Sequence, residues 1–152
     1  MEWEEVFTVQ VKIGQTTELH SPDGSSVTMI AFSGSASGPY FEGVILDGGI
    51  DTQIMEKGSG RPRLSARYML RGTDYTGQPC EIYVENNGEF GGGDSGALFR
   101  TCPKIITNSA ALAGLNEDLL AGEGRESEPG VEIRIYRALP SFKPAGNSPG
   151  AS

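Results

Sequence analysis

The 152-residue chain carries 20 acidic against 12 basic side chains, a formal charge of −8 at neutral pH. Phosphate backbones and anionic membrane surfaces both require clustered Lys and Arg, so nucleic acid and membrane are excluded as partners. The 22 glycines and 9 prolines point the same way for the fold: a helix interior loses about 1 kcal/mol per Gly and about 3 per Pro, which favours a turn-rich all-β domain.

His20, Cys80 and Cys102 are the only His and Cys residues. They are too few for a structural zinc site, a haem attachment or an iron–sulfur cluster, so no metal is expected. The N-terminal residues Met-Glu-Trp-Glu-Glu-Val-Phe lack a basic region followed by an apolar one, and no apolar run approaches the roughly 20 residues of a membrane span. A cytoplasmic protein with reduced cysteines is the expectation.

In chain order, Val6 to Ile13 alternates with period two from Val9 onward and stops at Gly14. Val27 to Phe32 follows the turn Ser21-Pro22-Asp23-Gly24, and Tyr40 to Leu46 is closed by Asp47-Gly48-Gly49. Ile50 to Glu56 and Leu64 to Arg71 flank Lys57 to Pro62, a hairpin-loop pattern. Glu81 to Glu85 ends at Asn86-Asn87-Gly88, and Gly91-Gly92-Gly93 leads into Ala97 to Cys102. Leu112 to Ala121 and Val131 to Tyr136 complete the set, joined through Gly122-Glu123-Gly124 and Glu128-Pro129-Gly130. Ala and Leu cluster in a helix-like way from Ser109 to Leu120, but Gly114 interrupts them and a strand is expected. The pattern predicts a closed antiparallel β-barrel of about eight to nine short strands over residues 1–139, because closure removes exposed sheet edges. Residues 140–152, without core-forming side chains, are expected to be a disordered tail.

Gly93-Asp94-Ser95-Gly96 is similar to the nucleophile loop of chymotrypsin-like proteases, and His20, Asp51 and Ser95 even follow that family's order. Ala97 stands where those proteases have a further glycine, and the chain is too short for two barrels, so the match reads as chance and the segment as a flexible loop. On the Leu64 to Arg71 strand, Leu64, Ala66, Tyr68 and Leu70 share one face and Ser65, Arg67, Met69 and Arg71 the other. On the next strand Glu81, Tyr83 and Glu85 oppose Ile82 and Val84. The mixed Arg, Tyr and Glu face either lines a polar-bottomed cavity or forms cross-strand ion pairs in solvent. Asp51, directly after Gly48-Gly49, is ordinary turn chemistry unless it sits at a pocket mouth, where burial would raise its pKa into the acid–base range.

Taken together, Leu46 to Asp51, Leu64 to Arg71, Ile82 to Gly88, Phe99 to Pro103, Leu115-Asn116, Gly122 to Arg125 and Val131 to Tyr136 resemble the family catalogued as domain of unknown function 3237, over roughly residues 5–138. The resemblance implies a small closed barrel related to allene oxide cyclase and dirigent proteins, which steer cyclisation or coupling of small organic molecules, generally without a cofactor. It carries over polar positions to Asp51, Arg67, Tyr68, Tyr83, Arg100 and Asn116. The chain departs from the family pattern in having Thr52 and Gly114 in place of large rings, Glu85 and Asn87 in place of Arg, and a short Glu89 to Gly96 segment in place of a helical cover. The two lost rings and the shortened cover imply a wider, more open cavity than the family's, and the changed charges argue against simply inheriting the family's substrate.

The expected function is a cofactor-independent isomerase or cyclase acting on an apolar secondary-metabolite intermediate inside the barrel; the alternative is a non-catalytic small-molecule carrier. Asp51 would be the general acid or base, Arg67 and Arg100 would stabilise developing negative charge, and Tyr68, Tyr83, Glu85 and Asn116 would bind and orient the substrate. Barrels of this size can pair through their outer faces, which leaves a homodimer open.

Overall fold

All but one of the runs form strands in the computed structural model, which describes residues 2–91, 98–128 and 130–139. The Gly93-Asp94-Ser95-Gly96 motif and the expected tail at 140–152 lie outside the described residues. The strands are β1 (Glu2–His20), β2 (Ser26–Ser37), β3 (Phe41–Ile45), β4 (Ile50–Met55), β5 (Arg63–Asp74), β6 (Pro79–Phe90), β7 (Phe99–Thr107), β8 (Leu120–Ser127) and β9 (Gly130–Leu139).

All pairings are antiparallel and they close into a ring, with β1 bonded to β2 on one side and β9 on the other. Nine strands make a ring of eight staves, because β3 and β4 share one place between β2 and β5. β3 pairs with Leu70 to Asp74 of β5, and β4 with Arg63 to Arg67 of the same strand. The chain breaks between them at Leu46 to Gly49, where Gly48 takes φ +108°, a backbone conformation that suits glycine.

Strand alternation decides the interior. Leu64, Ala66, Tyr68 and Leu70 of β5 and Cys80, Ile82 and Val84 of β6 point inward and are buried, as are Val9 and Val11 of β1 and Ile133 and Ile135 of β9. Phe7 and Phe41 pack at 5.9 Å between ring centroids, and Phe32 meets Tyr68 edge-on at 5.4 Å. A closed interior of this kind is a packed core wherever side chains fill it.

Four elements differ from the sequence expectation. The first run does not stop at Gly14: β1 continues to His20, pairing Thr16 to His20 with Ile30 to Ser26 of β2 after an irregularity between Ile13 and Thr16. The Leu112 to Ala121 run is not one strand: a 3-10 turn (Ala113–Asn116) comes first, and β8 begins at Leu120. Leu112 and Leu115 of this segment are buried and stop the barrel at the end where β5 and β7 finish. Asn86-Asn87-Gly88 does not end a strand but continues β6, pairing with Ala66, Ser65 and Leu64. Gly122 and Gly124 lie within β8, not in a connection. Their lack of a side chain has a steric reason: a Cβ at Gly124 would overlap the Phe99 ring and one at Gly122 the Thr101 hydroxyl.

The stopped end is tied by a single carboxylate. Asp74 accepts hydrogen bonds from the Thr76 and Gln78 backbone N–H groups and from the Ser109 hydroxyl at 2.7 Å, which joins the β5–β6 turn to the segment after β7. The Thr76 hydroxyl, then the Ser109 hydroxyl, contribute most to holding its pKa down at about 2. Among the described residues no helix is long and apolar enough to cross a membrane.

Candidate functional site

Among the described residues the opposite end of the barrel is not filled. A cavity of about 100 Å³ is walled by Phe32, Leu64, Phe90, Phe99 and Ile133 and reaches Ile13 and Leu98 at the solvent side. Phe90 and Phe99 close one wall edge-on, with centroids 5.7 Å apart.

The polar groups here follow from β4. By alternation its sequence Ile-Asp-Thr-Gln-Ile-Met would turn Ile50, Thr52 and Ile54 inward, but pairing with β5 decides otherwise. Asp51 and Gln53 lie opposite Ala66 and Leu64, which are buried, whereas Ile50 and Ile54 lie opposite Arg67 and Arg63, which are exposed. Since cross-strand partners share a face, β4 turns its two polar side chains into the barrel and its isoleucines outward. Local rules are broken in this way at functional sites more often than elsewhere.

Asp51 is mostly buried. Its Oδ2 accepts from the Gln53 side-chain amide at 2.9 Å, while Oδ1 is buried with no partner among the described residues. Burial raises its pKa above the ordinary carboxylate value, and the Gln53 hydrogen bond opposes that only in part. Asp51 is the one titratable side chain among the described residues lining the cavity. One further row position matters: Asp51 pairs with Ala66, and Ala66 with Asn86. Asn86 is fully buried, and neither atom of its amide group has a partner among the described residues. The Thr101 hydroxyl beside it and the Tyr68 hydroxyl beneath Phe32 are in the same condition. The Tyr68 phenol is pushed up by desolvation and stays neutral, a donor without a base.

The other expected site residues stand elsewhere. Arg67, Tyr83 and Glu85 do come together, but on the outer wall: Arg67 approaches Glu85 at 3.7 Å, and the Tyr83 hydroxyl donates to Glu85 at 3.2 Å. Asn87 and then Tyr83 hold the Glu85 pKa down. Of the two alternatives for this face, cross-strand pairing in solvent is the one observed, because Leu64, Ala66, Tyr68 and Leu70 take the inward positions. Arg100 is also outward, 3.7 Å from Glu123, beside a groove of about 450 Å³ between Trp3 and Tyr136. Asn116 is exposed, and its Oδ1 accepts from the Thr107 backbone N–H at 3.0 Å, fastening the 3-10 turn to β7.

Asn86, Gln53 and Thr101 escaped sequence reasoning. A signal for Asn86 existed, since extending the period of Ile82 and Val84 by two residues reaches it. Among the described residues no three His, Cys, Asp or Glu side chains gather to hold a metal.

Comparison with known proteins agrees with this architecture. A curated UPF0311 protein of Clostridium acetobutylicum is 38% identical over 90 residues, which is 58% of this chain; the chain spans about half of that relative's length, 54%. A crystal structure of a protein with unknown function from Clostridium acetobutylicum superposes with a TM-score of 0.77 at 29% identity, covering 91% of this chain and 100% of that one. A β-barrel-like protein from Acinetobacter baumannii gives 0.73 at 21% identity over 90% and 94% of the two chains. An enzyme from Penicillium herquei gives 0.64 at 15% identity over 90% and 92%, a likeness of fold alone. The family profile described as protein of unknown function (DUF3237) matches residues 1–138, and the chain belongs to that family.

Proposed function

We propose that the protein is a cofactor-independent isomerase or cyclase that takes an apolar small molecule into the open end of the barrel, with Asp51 as the acid–base group. The observation that carries this reading is the Asp51 Oδ1 atom, buried beside apolar walls without a partner among the described residues. Such an oxygen costs the fold about 1–3 kcal/mol of desolvation, a cost that a structural role does not explain. Burial also raises the Asp51 pKa above the ordinary carboxylate value, which makes the carboxylate a stronger base for proton transfer. Arg67, Tyr68, Tyr83, Glu85, Arg100 and Asn116 have no part in this reading, because none of them lines the cavity. That one neighbour of similar fold is an enzyme is compatible with it.

Solvent-isotope labelling tests the proposal. The protein is incubated in D2O with neutral, apolar small molecules, and labelled or isomerised products are read by mass spectrometry. Asp51→Asn is expected to reduce the rate about 10²–10⁴-fold while the same compound still protects the variant against thermal unfolding. A compound that protects both proteins but is changed by neither identifies a carrier instead.

A further inference from the structure

The polar equipment of the cavity is sparse enough to define what it recognises. Ile30, Asp51, Ala66, Asn86 and Pro103 form one cross-strand row through β2, β4, β5, β6 and β7. Asp51 and Asn86 are two staves apart, so their Cα atoms are about 10 Å apart, and side chains on the concave face converge across that gap. Ala66 between them contributes a single methyl. On the far side of Asn86, Gly122 leaves room for the Thr101 hydroxyl; a Cβ there would overlap that hydroxyl and lie 3.5 Å from the Asn86 Oδ1.

A fully buried amide with both atoms unpartnered among the described residues calls for a water or a ligand to complete it. As a purely structural residue it would be a poor choice, since an apolar side chain of the same shape would serve the fold at least as well. The lining has no Lys, Arg or His among its described residues, so nothing there compensates an anionic ligand. The cavity, about 100 Å³, is somewhat smaller than the roughly 150 Å³ of an engineered void that takes up benzene, which limits the buried part of a ligand to about one six-membered ring.

Resting on the reading of Asp51 as the acid–base group, we infer that the cavity takes an uncharged enolisable carbonyl compound, whose carbonyl oxygen accepts a hydrogen bond from the Asn86 amide while the neighbouring C–H faces the Asp51 carboxyl group. The C–H and the C=O of this unit are thereby given to the two polar members of the row, Asp51 and Asn86. In the reaction this allows, the Asp51 carboxylate takes the α-proton of a β,γ-unsaturated ketone. The C–H electron pair becomes the C=C bond of a dienolate, and the carbonyl π pair moves to oxygen, where the Asn86 N–H group stabilises it. The proton then leaves the Asp51 carboxylic acid for the γ-carbon, the dienolate collapses to the conjugated ketone, and the carboxylate is restored. Every atom and electron stays within substrate and Asp51, so no oxidant, reductant or co-substrate is required.

Cyclohexanone, cyclohexylamine and methylcyclohexane are the probes, titrated by ligand-observed NMR against the wild-type protein and Asn86→Leu, with the thermal midpoint as the fold control. The expected result is that cyclohexanone binds the wild type and binds Asn86→Leu at least tenfold more weakly, that methylcyclohexane binds both alike, and that the variant melts no lower than the wild type. No binding of cyclohexanone, equal binding to both proteins, or tighter binding of cyclohexylamine overturns the inference. If Asn86→Leu fails to fold, carbonyl-¹³C-labelled cyclohexanone on the wild type decides: a bound resonance downfield of its value in hydrocarbon solvent supports the hydrogen bond, and an unchanged value overturns it. Isomerisation of 3-cyclohexen-1-one is followed in parallel. Asn86-dependent binding without Asp51-dependent isomerisation would remove the acid–base role of Asp51 and leave carbonyl recognition standing.

Discussion

Asp51 and Asn86 flank Ala66 in one cross-strand row and turn buried polar atoms, unpartnered among the described residues, toward the same apolar cavity. The arrangement depends on β4 facing inward with its polar residues, which the register with β5 enforces. The first prediction concerns its cost. Because the folded-state pKa of Asp51 is raised, the folded protein holds that proton more tightly than the unfolded chain does. Below the ordinary value of 3.8 the carboxyl is neutral in both states and carries no penalty; as pH rises through the folded-state pKa the penalty develops in full. Asp51→Asn is therefore expected to melt higher than the wild type at pH 7 and level with it at pH 3. A gain of about 1 kcal/mol corresponds to about 3 °C for a domain of this size. Thermal melts followed by circular dichroism across that pH range check it, and identical midpoints throughout would mean that Asp51 is fully solvated.

Arg67 gives the converse case. It is exposed on the outer wall, 3.7 Å from Glu85, and does not line the cavity. Arg67→Ala is expected to change turnover less than about twofold and stability by less than about 1 kcal/mol, as for exposed ion pairs generally. Kinetics of this single variant, on whichever compound the labelling experiment identifies, are sufficient. A hundredfold loss of rate would return Arg67 to the reaction.

The glycine at position 124 controls the shape of the cavity through Phe99, whose ring occupies the space a Cβ would need. Gly124→Ala is expected to displace the ring and cost about 1–3 kcal/mol by overpacking. Phe99 also lines the cavity, so ligand uptake should weaken with it. Adding Phe99→Leu should recover part of the lost stability, a coupling that a double-mutant cycle measures. Strict additivity would show that the two positions do not meet.

At the stopped end the pH dependence has the opposite sign. Asp74, with its pKa lowered to about 2, favours the fold fully above the ordinary value of 3.8 and loses that contribution as pH falls through about 2. Asp74→Asn is expected to lower the melting temperature at pH 5, with the difference from wild type shrinking steadily between pH 4 and pH 2. Acid titration of both proteins by near-ultraviolet circular dichroism tests this; a constant difference would assign the effect to geometry and not to charge.

The barrel was legible because period two is a local property. Val9 to Ile13 and Leu64 to Leu70 show which residues share a face without reference to any partner, though not which face is inward. The site was less so, for a reason visible in two strands. In β4, Asp51 could be assigned an inward position only through its register with Ala66, a relation between strands that no single segment contains. In β6, Asn86 followed by Asn87-Gly88 looks like a turn, and only the long pairing with β5 and β7 keeps it in the strand. Arg67 and Arg100 appeared eligible for the interior because a charged residue in an alternating run looks the same from the sequence whether its face is wet or dry. The glycines of β8 were misassigned for a related reason: they answer to Thr101 and Phe99 of another strand.

The seal between β1 and β9 also sets a timetable. Gln10 hydrogen-bonds to Glu132, a partner 122 residues further along the chain. At synthesis rates of about 5–20 residues per second, the first strand waits on the order of ten seconds for the last to be made. A β1–β2 hairpin can form within microseconds, which protects one side of β1 and leaves the other as an open apolar edge. The finished ring has no such edge along Val9 to Val11. For this molecule the hazard of aggregation therefore belongs to an interval during translation, and slowing the ribosome ahead of β9 would lengthen it.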